Sequence, residues 1–252
     1  ELLDSFKQLF FDFISMEFEF RFKKFSLNHS QSSMKIGTDA ILLSASAPKI
    51  NAKRILDIGT GCGVVAMIMA QYNCNAGITA IDIDSQSIAQ ASSNFSYGPF
   101  CERMQAINIS LQEFANNKEN HAKYDCIVSN PPYFVNSLSA KGKARNMARH
   151  NESLPFEELV SNIAILATPD AFITIILPYE QTLQTIQLFK NHGIYPSRQI
   201  EVYSKSDKAI ERMIVTYRPF ETKSIEVERL ILRNQDNDYT TQYKTMVADI
   251  LL

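Results

Sequence analysis

The run Ser129-Asn130-Pro131-Pro132-Tyr133-Phe134 follows a short strand-like stretch, Tyr124 to Val128. Two adjacent prolines bar a helix and remove two ladder donors, so the strand must stop there. The residue types at the stop suit one kind of chemistry. A planar amine conjugated to a ring is a poor nucleophile, because its lone pair is delocalised. Asn130 brings a side-chain oxygen and Pro131 a carbonyl, which makes two acceptors for the two N–H bonds of such an amine. Pro131 and Pro132 hold that backbone rigidly, so little reorganisation is needed on binding. Tyr133 and Phe134 add aromatic faces, and stacking a base on such a face contributes roughly 1–3 kcal/mol. For these residues alone, a proline-stiffened turn capped by an asparagine is the alternative reading.

A second constellation lies upstream. Asp57-Ile58-Gly59-Thr60-Gly61-Cys62-Gly63 closes one strand-like run and opens a helical one. Glycines at such a junction let a ligand approach bare backbone, and free amides at a helix start favour polar acceptors. The next strand-like run ends in Asp82, where a carboxylate can accept both hydroxyls of a ribose. A nicotinamide or flavin site would place a third glycine at position 64, which is Val64. Asp57, directly before the loop, suits instead a ligand that carries an amino group. Without a ligand, both acids would serve as caps or turn formers at strand ends.

With these residues in place, the chain resembles the class I S-adenosylmethionine-dependent methyltransferases, whose first motif is similar to DIGTGCG. The resemblance implies that Gly59, Gly61 and the loop backbone embrace the methionine part of S-adenosyl-L-methionine. Asp57 would act near its amino group and Asp82 on its ribose. The position after the third strand, where such enzymes often carry an acid against the adenine, is Ser110. Asn130 to Tyr133 is similar to the signature of methyltransferases acting on planar exocyclic nitrogens: adenine in nucleic acids, or the glutamine of release factors. Lys35-Ile36-Gly37-Thr38-Asp39 resembles the cofactor-covering segment of the bacterial tRNA(Val) adenine N(6)-methyltransferases, and assigns Lys35, Gly37 and Thr38 to the cofactor. Ala148 to Leu159 and Tyr239 to Leu252 are similar to that family as well. The resemblance runs from about residue 18 to residue 252 and implies a tRNA substrate, an adenine beside the anticodon. The other readings are a release-factor glutamine methyltransferase, whose family brings a longer helical domain before the glycine loop, and a non-catalytic RNA-binding module.

Lys141, Lys143, Arg145 and Arg149 form a basic run with no acid between them, directly after the proline motif. Such a run is either a solvated loop or a phosphate contact beside an extruded base, in the second case joined by Arg21, Lys23 and Lys24. The rest of the chain gives no global basic field, since its net charge is -2 and its pI about 6.1. Four cysteines without a CxxC pair and four histidines predict neither a zinc site nor a disulfide scaffold, and fit a reducing cytoplasm. No stretch is apolar for long enough to predict a membrane span. A monomer is expected.

These residues need a scaffold that gathers strand ends. Strand-like runs at 53–58, 77–83, 104–109, 124–129 and 171–177 alternate with helical patterns at 64–72, 85–95, 155–166 and 179–192. Two strands, 194–203 and 212–217, follow without a helix between them. The pattern predicts a Rossmann-like, doubly wound α/β fold: a mostly parallel seven-stranded sheet with an antiparallel edge hairpin. Residues 116–121 and 138–152 read as loops. Residues 1–17 read as an accessory amphipathic helix or extension, and 18–252 as the methyltransferase domain.

Overall fold

The computed structural model describes residues 19–30, 32, 35–131 and 154–252. A short antiparallel hairpin, β1 (Glu19–Arg21) and β2 (Ser26–Asn28), precedes the first helix, α1 (Thr38–Ser46). The main sheet then begins. Strand β3 (Arg54–Ile58) leads into α2 (Val64–Tyr72), β4 (Gly77–Asp82) into α3 (Ser85–Tyr97), and β5 (Met104–Asn108) into a short α4 (Leu111–Asn116). Strand β6 (Tyr124–Ser129) ends at the proline motif. Helix α5 (Phe156–Leu166), β7 (Ala167–Pro178), α6 (Tyr179–Asn191), β8 (Tyr195–Tyr203), β9 (Ile210–Arg218), β10 (Glu226–Ile231) and α7 (Thr241–Val247) complete the described elements.

The sheet has the order β10-β8-β9-β7-β6-β3-β4-β5. All pairs from β7 to β5 are parallel, whereas β9 runs antiparallel to both β7 and β8. The seven expected strands are therefore present, and an eighth, β10, lies parallel to β8 and takes its place at the edge. Its sequence, EVERLI, mixes charged and apolar residues and buries only Leu230, so an expectation built on apolar runs passes over it. Helix α4 also went unread, because a six-residue helix carries too little periodicity to register.

Alternation along each central strand feeds two cores. Ile55, Cys126 and Val128 join the layer beneath α1, α2 and α3, whereas Leu56, Ile58 and Ile127 join the layer beneath α5 and α6. Burial on both faces is what a parallel sheet with crossover helices requires. Helix α3 starts at Asp84, whose carboxylate accepts from the amides of Gln86 and Ser87, the role of an N-cap aspartate. Helix α2 starts at Gly63, which has φ 87° and lies so close to α3 that a Cβ there would come within 2.5 Å of Phe95 Cε1.

Gly63→Ala therefore combines left-handed strain, about 1–2 kcal/mol, with overpacking of about 1–3 kcal/mol. Gly193→Ala meets the same backbone strain at φ 72° with nothing within 4 Å of the new Cβ. The expected result is a clearly larger drop in the urea midpoint for Gly63→Ala than for Gly193→Ala. Equal drops would show that the loop yields freely to α3.

Candidate functional site

Ile58, the last residue of β3, pairs with Ile81 in β4 on one side and with Ser129 in β6 on the other. The next residues of the three strands, Gly59, Asp82 and Asn130, therefore emerge side by side at the carboxyl edge of the sheet, the edge at which doubly wound folds bind ligands. Ser129 Oγ donates to the carbonyl oxygen of Ile58 at 2.9 Å, tying the proline motif to the residue before the glycine loop. At the opposite end of β6, the Asp125 carboxylate accepts from the amides of Lys53 and Arg54, at 2.7 and 3.0 Å. The pairing of β3 with β6 is thus held by side chains at both ends. Asn130 is half-buried and Pro131 buried. Pro132, Tyr133, Phe134, Lys141, Lys143, Arg145 and Arg149 lie outside the described residues.

The glycine loop folds back on β4, with the amides of Gly59 and Thr60 both donating to the carbonyl oxygen of Ile81, at 2.9 and 3.1 Å. Among the described residues, nothing lies within 4 Å of where a Gly59 Cβ would stand. Asp82 closes the loop: one carboxylate oxygen accepts from the amide of Gly61 at 2.9 Å, the other from that of Asp84 at 3.0 Å. A carboxylate has about four acceptor sites, so each oxygen keeps a second for a ligand hydroxyl.

Asp57 is buried, 1% exposed. Its Oδ2 accepts from Thr60 Oγ1 at 2.6 Å and from the amide of Ala66 at 3.1 Å, so a strand residue satisfies one of the orphan donors of α2. Burial nevertheless pushes its carboxyl up to about 7, against the pull of those two bonds and helped by the nearby Asp82. An acid poised there responds strongly to any cation placed beside it.

The remaining expected cofactor residues divide. Gly37 caps α1 through its backbone, Thr38 opens that helix, and Lys35 is exposed. The first turn of α1 is held at the carboxyl edge by an ion pair, Asp39 to Arg212 at 3.1 Å, because Arg212 in β9 stands opposite Pro178 at the end of β7. Ser110 heads α4 in a capping box, its Oγ accepting from the Glu113 amide at 3.2 Å and donating to the Glu113 carboxylate at 2.8 Å. Lys23 donates to the carbonyl oxygen of Ala248 at 2.5 Å, and Arg21 pairs with Glu19. Three residues at the site escaped the sequence reading. Ile83, 60% exposed directly after Asp82, presents an apolar face beside the carboxylate. Arg212 and Asn94 are isolated polar residues in ordinary strand and helix patterns, and only the folded chain reveals their partners. Among the described residues there is no group of three or more His, Cys, Asp or Glu that could hold a metal.

Comparison with known proteins bears directly on this site. The Methyltransferase small domain family matches residues 19–154, a span that contains the glycine loop, Asp82 and Asn130. A protein of Bacteroides fragilis named tRNA1(Val) (adenine(37)-N6)-methyltransferase is 36% identical over 235 residues, covering 92% of this chain and 97% of that one. One of the same name from Proteus mirabilis is 33% identical over 237 residues, covering 92% and 93%. The chain belongs to the tRNA1(Val) (adenine(37)-N6)-methyltransferase family, within the Methyltransferase small domain family. Among solved structures, a predicted O-methyltransferase from Agrobacterium tumefaciens superposes with a TM-score of 0.63 at 15% identity, covering 84% of this chain and 96% of that one. Pyrococcus horikoshii TYW2 in complex with MeSAdo gives 0.56 at 14% identity, covering 79% and 70%. At those identities the likeness establishes the Rossmann-like methyltransferase fold and nothing finer.

For this methyltransferase family member the buried acid sets a pH dependence. Asp57 is an ordinary carboxyl when the chain is unfolded and titrates at about 7 when folded. Its contribution is fully favourable below the unfolded value of 3.8 and is lost as pH rises to about 7, beyond which it is flat. Asp57→Asn, which keeps an acceptor for Thr60 and Ala66 but cannot ionise, should flatten that limb in urea unfolding of the cofactor-free protein. A wild-type profile that the substitution leaves unchanged would place the acid's titration outside this range.

Proposed function

We propose that this protein methylates the exocyclic N6 amine of adenine 37 in tRNA1(Val), with S-adenosyl-L-methionine as methyl donor. The observation that carries the reading is the strand register that sets Asn130 beside Gly59 and Asp82, in a chain that spans 97% of a relative bearing that name.

The residues fit the cofactor. Bare backbone at Gly59, a half-exposed Asp82 carboxylate at the loop, and a buried Asp57 with no ion-pair partner among the described residues are the features a ligand with a ribose and an ammonium group needs. Gly59 and Gly61 would border its methionine part, Asp82 its ribose hydroxyls and Asp57 its amino group. Ile83 offers its apolar side chain to the adenine face. The Ser110 hydroxyl is already engaged in its capping box, so we assign Ser110 to placing α4 at the rim of the adenine site. Lys35, Gly37 and Thr38 would cover the site from α1. When bound, S-adenosyl-L-methionine supplies an electrophilic methyl group. The chain does the rest: Asn130 Oδ1 and the Pro131 carbonyl accept the two N–H bonds of the target amine, turning its lone pair towards the reaction axis and stabilising the positive charge that develops on nitrogen. The proton leaves after transfer, so no strong base is required. Tyr133 and Phe134 would stack on an adenine drawn out of a single-stranded loop, which costs less than extrusion from a duplex. The basic run at Lys141, Lys143, Arg145 and Arg149 would hold flanking phosphates. Among the described residues no helix is long and apolar enough to cross a membrane, and we place the reaction in the cytoplasm, where tRNA is modified.

Nucleoside mass spectrometry of tRNA from a host lacking the enzyme, incubated with protein and cofactor, should show a gain of N(6)-methyladenosine mapping to position 37. No gain, or methylation of a release-factor glutamine instead, would overturn the assignment. Asn130→Ala should lower kcat by about 100-fold or more, as expected for loss of a group acting on the developing charge, while the cofactor Kd stays within a few-fold. For the basic run, Lys141→Glu with Lys143→Glu should weaken tRNA binding and reduce the salt slope by about 1–2. An unchanged slope would mark the run as a solvated loop.

A further inference from the structure

We propose that Asn94 is a positioning residue for the cofactor site, clamping the β1–β2 hairpin onto the glycine loop so that the hairpin forms part of the site. The inference rests on the reading of that loop as the S-adenosyl-L-methionine site.

Asn94 lies in the last turn of α3, 6% exposed. Asparagine is a poor helix former because its amide competes for backbone partners, so a buried one in a helix needs a tertiary reason. Here the reason is a clamp made of three hydrogen bonds to two other segments. Its Oδ1 accepts from the amide of Asn28 at 3.0 Å, and its Nδ2 donates to the carbonyl oxygens of Asn28 and of Cys62, each at 2.8 Å. Asn28 ends β2 and Cys62 sits between Gly61 and Gly63, so one side chain joins the hairpin to the loop from beneath. Beyond β2, Ser32 also meets the loop: its Oγ is 3.5 Å from where a Gly61 Cβ would stand and 3.4 Å from Ser87 Oγ. Phe95, the next residue along α3, lies against Gly63. Helix α3 thereby sets the loop's height with Phe95 and its covering segment with Asn94. Without the clamp, the carbonyls of Cys62 and Asn28 lose the donor that Asn94 supplies, and the hairpin loses this tie to the loop.

The experiment is calorimetric titration of S-adenosyl-L-methionine into the RNA-free protein, with hydrogen exchange read at residues 26–28. Asn94→Ala should raise the cofactor Kd about tenfold, the size of one lost buried hydrogen bond, and speed exchange at 26–28 in the cofactor-free state. Asn94→Asp keeps the acceptor for the Asn28 amide but sets a carboxylate oxygen against two carbonyls, so its Kd should rise at least as much. In steady state, KM for the cofactor should rise while kcat and KM for tRNA hold. A lowered melting temperature with an unchanged cofactor Kd, or a Kd within twofold of wild type in both variants, would overturn the clamp. Wild-type protein that binds no S-adenosyl-L-methionine would instead overturn the cofactor reading, and this inference with it.

Discussion

The whole site depends on the register of three parallel strands around Ile58. Because that residue pairs with both Ile81 and Ser129, the glycine loop, Asp82 and Asn130 leave the sheet at one level. A slip of one residue in β6 would turn each of its side chains to the opposite face. Apolar residues alone would resist such a slip weakly, since β3 and β6 are buried on both faces and Ile or Val suits either. The polar residues discriminate. Ser129 must reach the carbonyl of Ile58, and Asp125 must receive two amides at the start of β3. Both contacts would be lost in a slip, and leaving the buried Ser129 hydroxyl unsatisfied would cost about 1–3 kcal/mol.

The groups that the proposed function assigns to the ligand are therefore also groups that hold the fold. Asp82 accepts from the loop before any ribose arrives, and Asp57 caps α2 before any ammonium does. This arrangement preorganises the site: donors and acceptors already point where a ligand needs them, and little ordering remains to be done on binding. Its cost is concentrated in Asp57, whose burial favours the neutral acid. A cationic group beside it would favour ionisation and add an attraction between opposite charges in a poorly solvated place.

How much of this was legible in the sequence follows from which signals are local. The strand and helix that flank DIGTGCG were readable to the residue at 64–72, because glycines and a purely apolar helix mark their own borders. The carboxylates at 57 and 82 and the break at Asn130 were readable from type and position. Strand β10 was not, because its partner β8 lies some 30 residues away and half of its own residues are charged. The family resemblance points to Ser110 only as the position where an acid would meet the adenine, and a serine stands there instead. The Glu three residues later was the available sign of a capping box. Asn94 and Arg212 have no local signature at all, since their meaning lies in partners 66 and 173 residues distant.

Those distant contacts form a connected shell around the cofactor side of the sheet. The backbone of Lys23 donates to Ile250, Phe22 bridges Leu251, and Gln71 in α2 donates to the carbonyl of Asp249. Residues 248–251 are thereby fixed to the hairpin and to the helix that the glycine loop opens. The hairpin is fixed in turn to the loop through Asn94. Phe22 and Phe25 stack within this shell at 4.7 Å between ring centres, and Ile250 is fully buried beneath it. Loosening any one of these segments exposes apolar surface on the others, so they hold or release together. The glycine loop, often described as a self-contained motif, is here the centre of a cooperative unit drawn from both flanks of the sequence, and its geometry is a property of that unit.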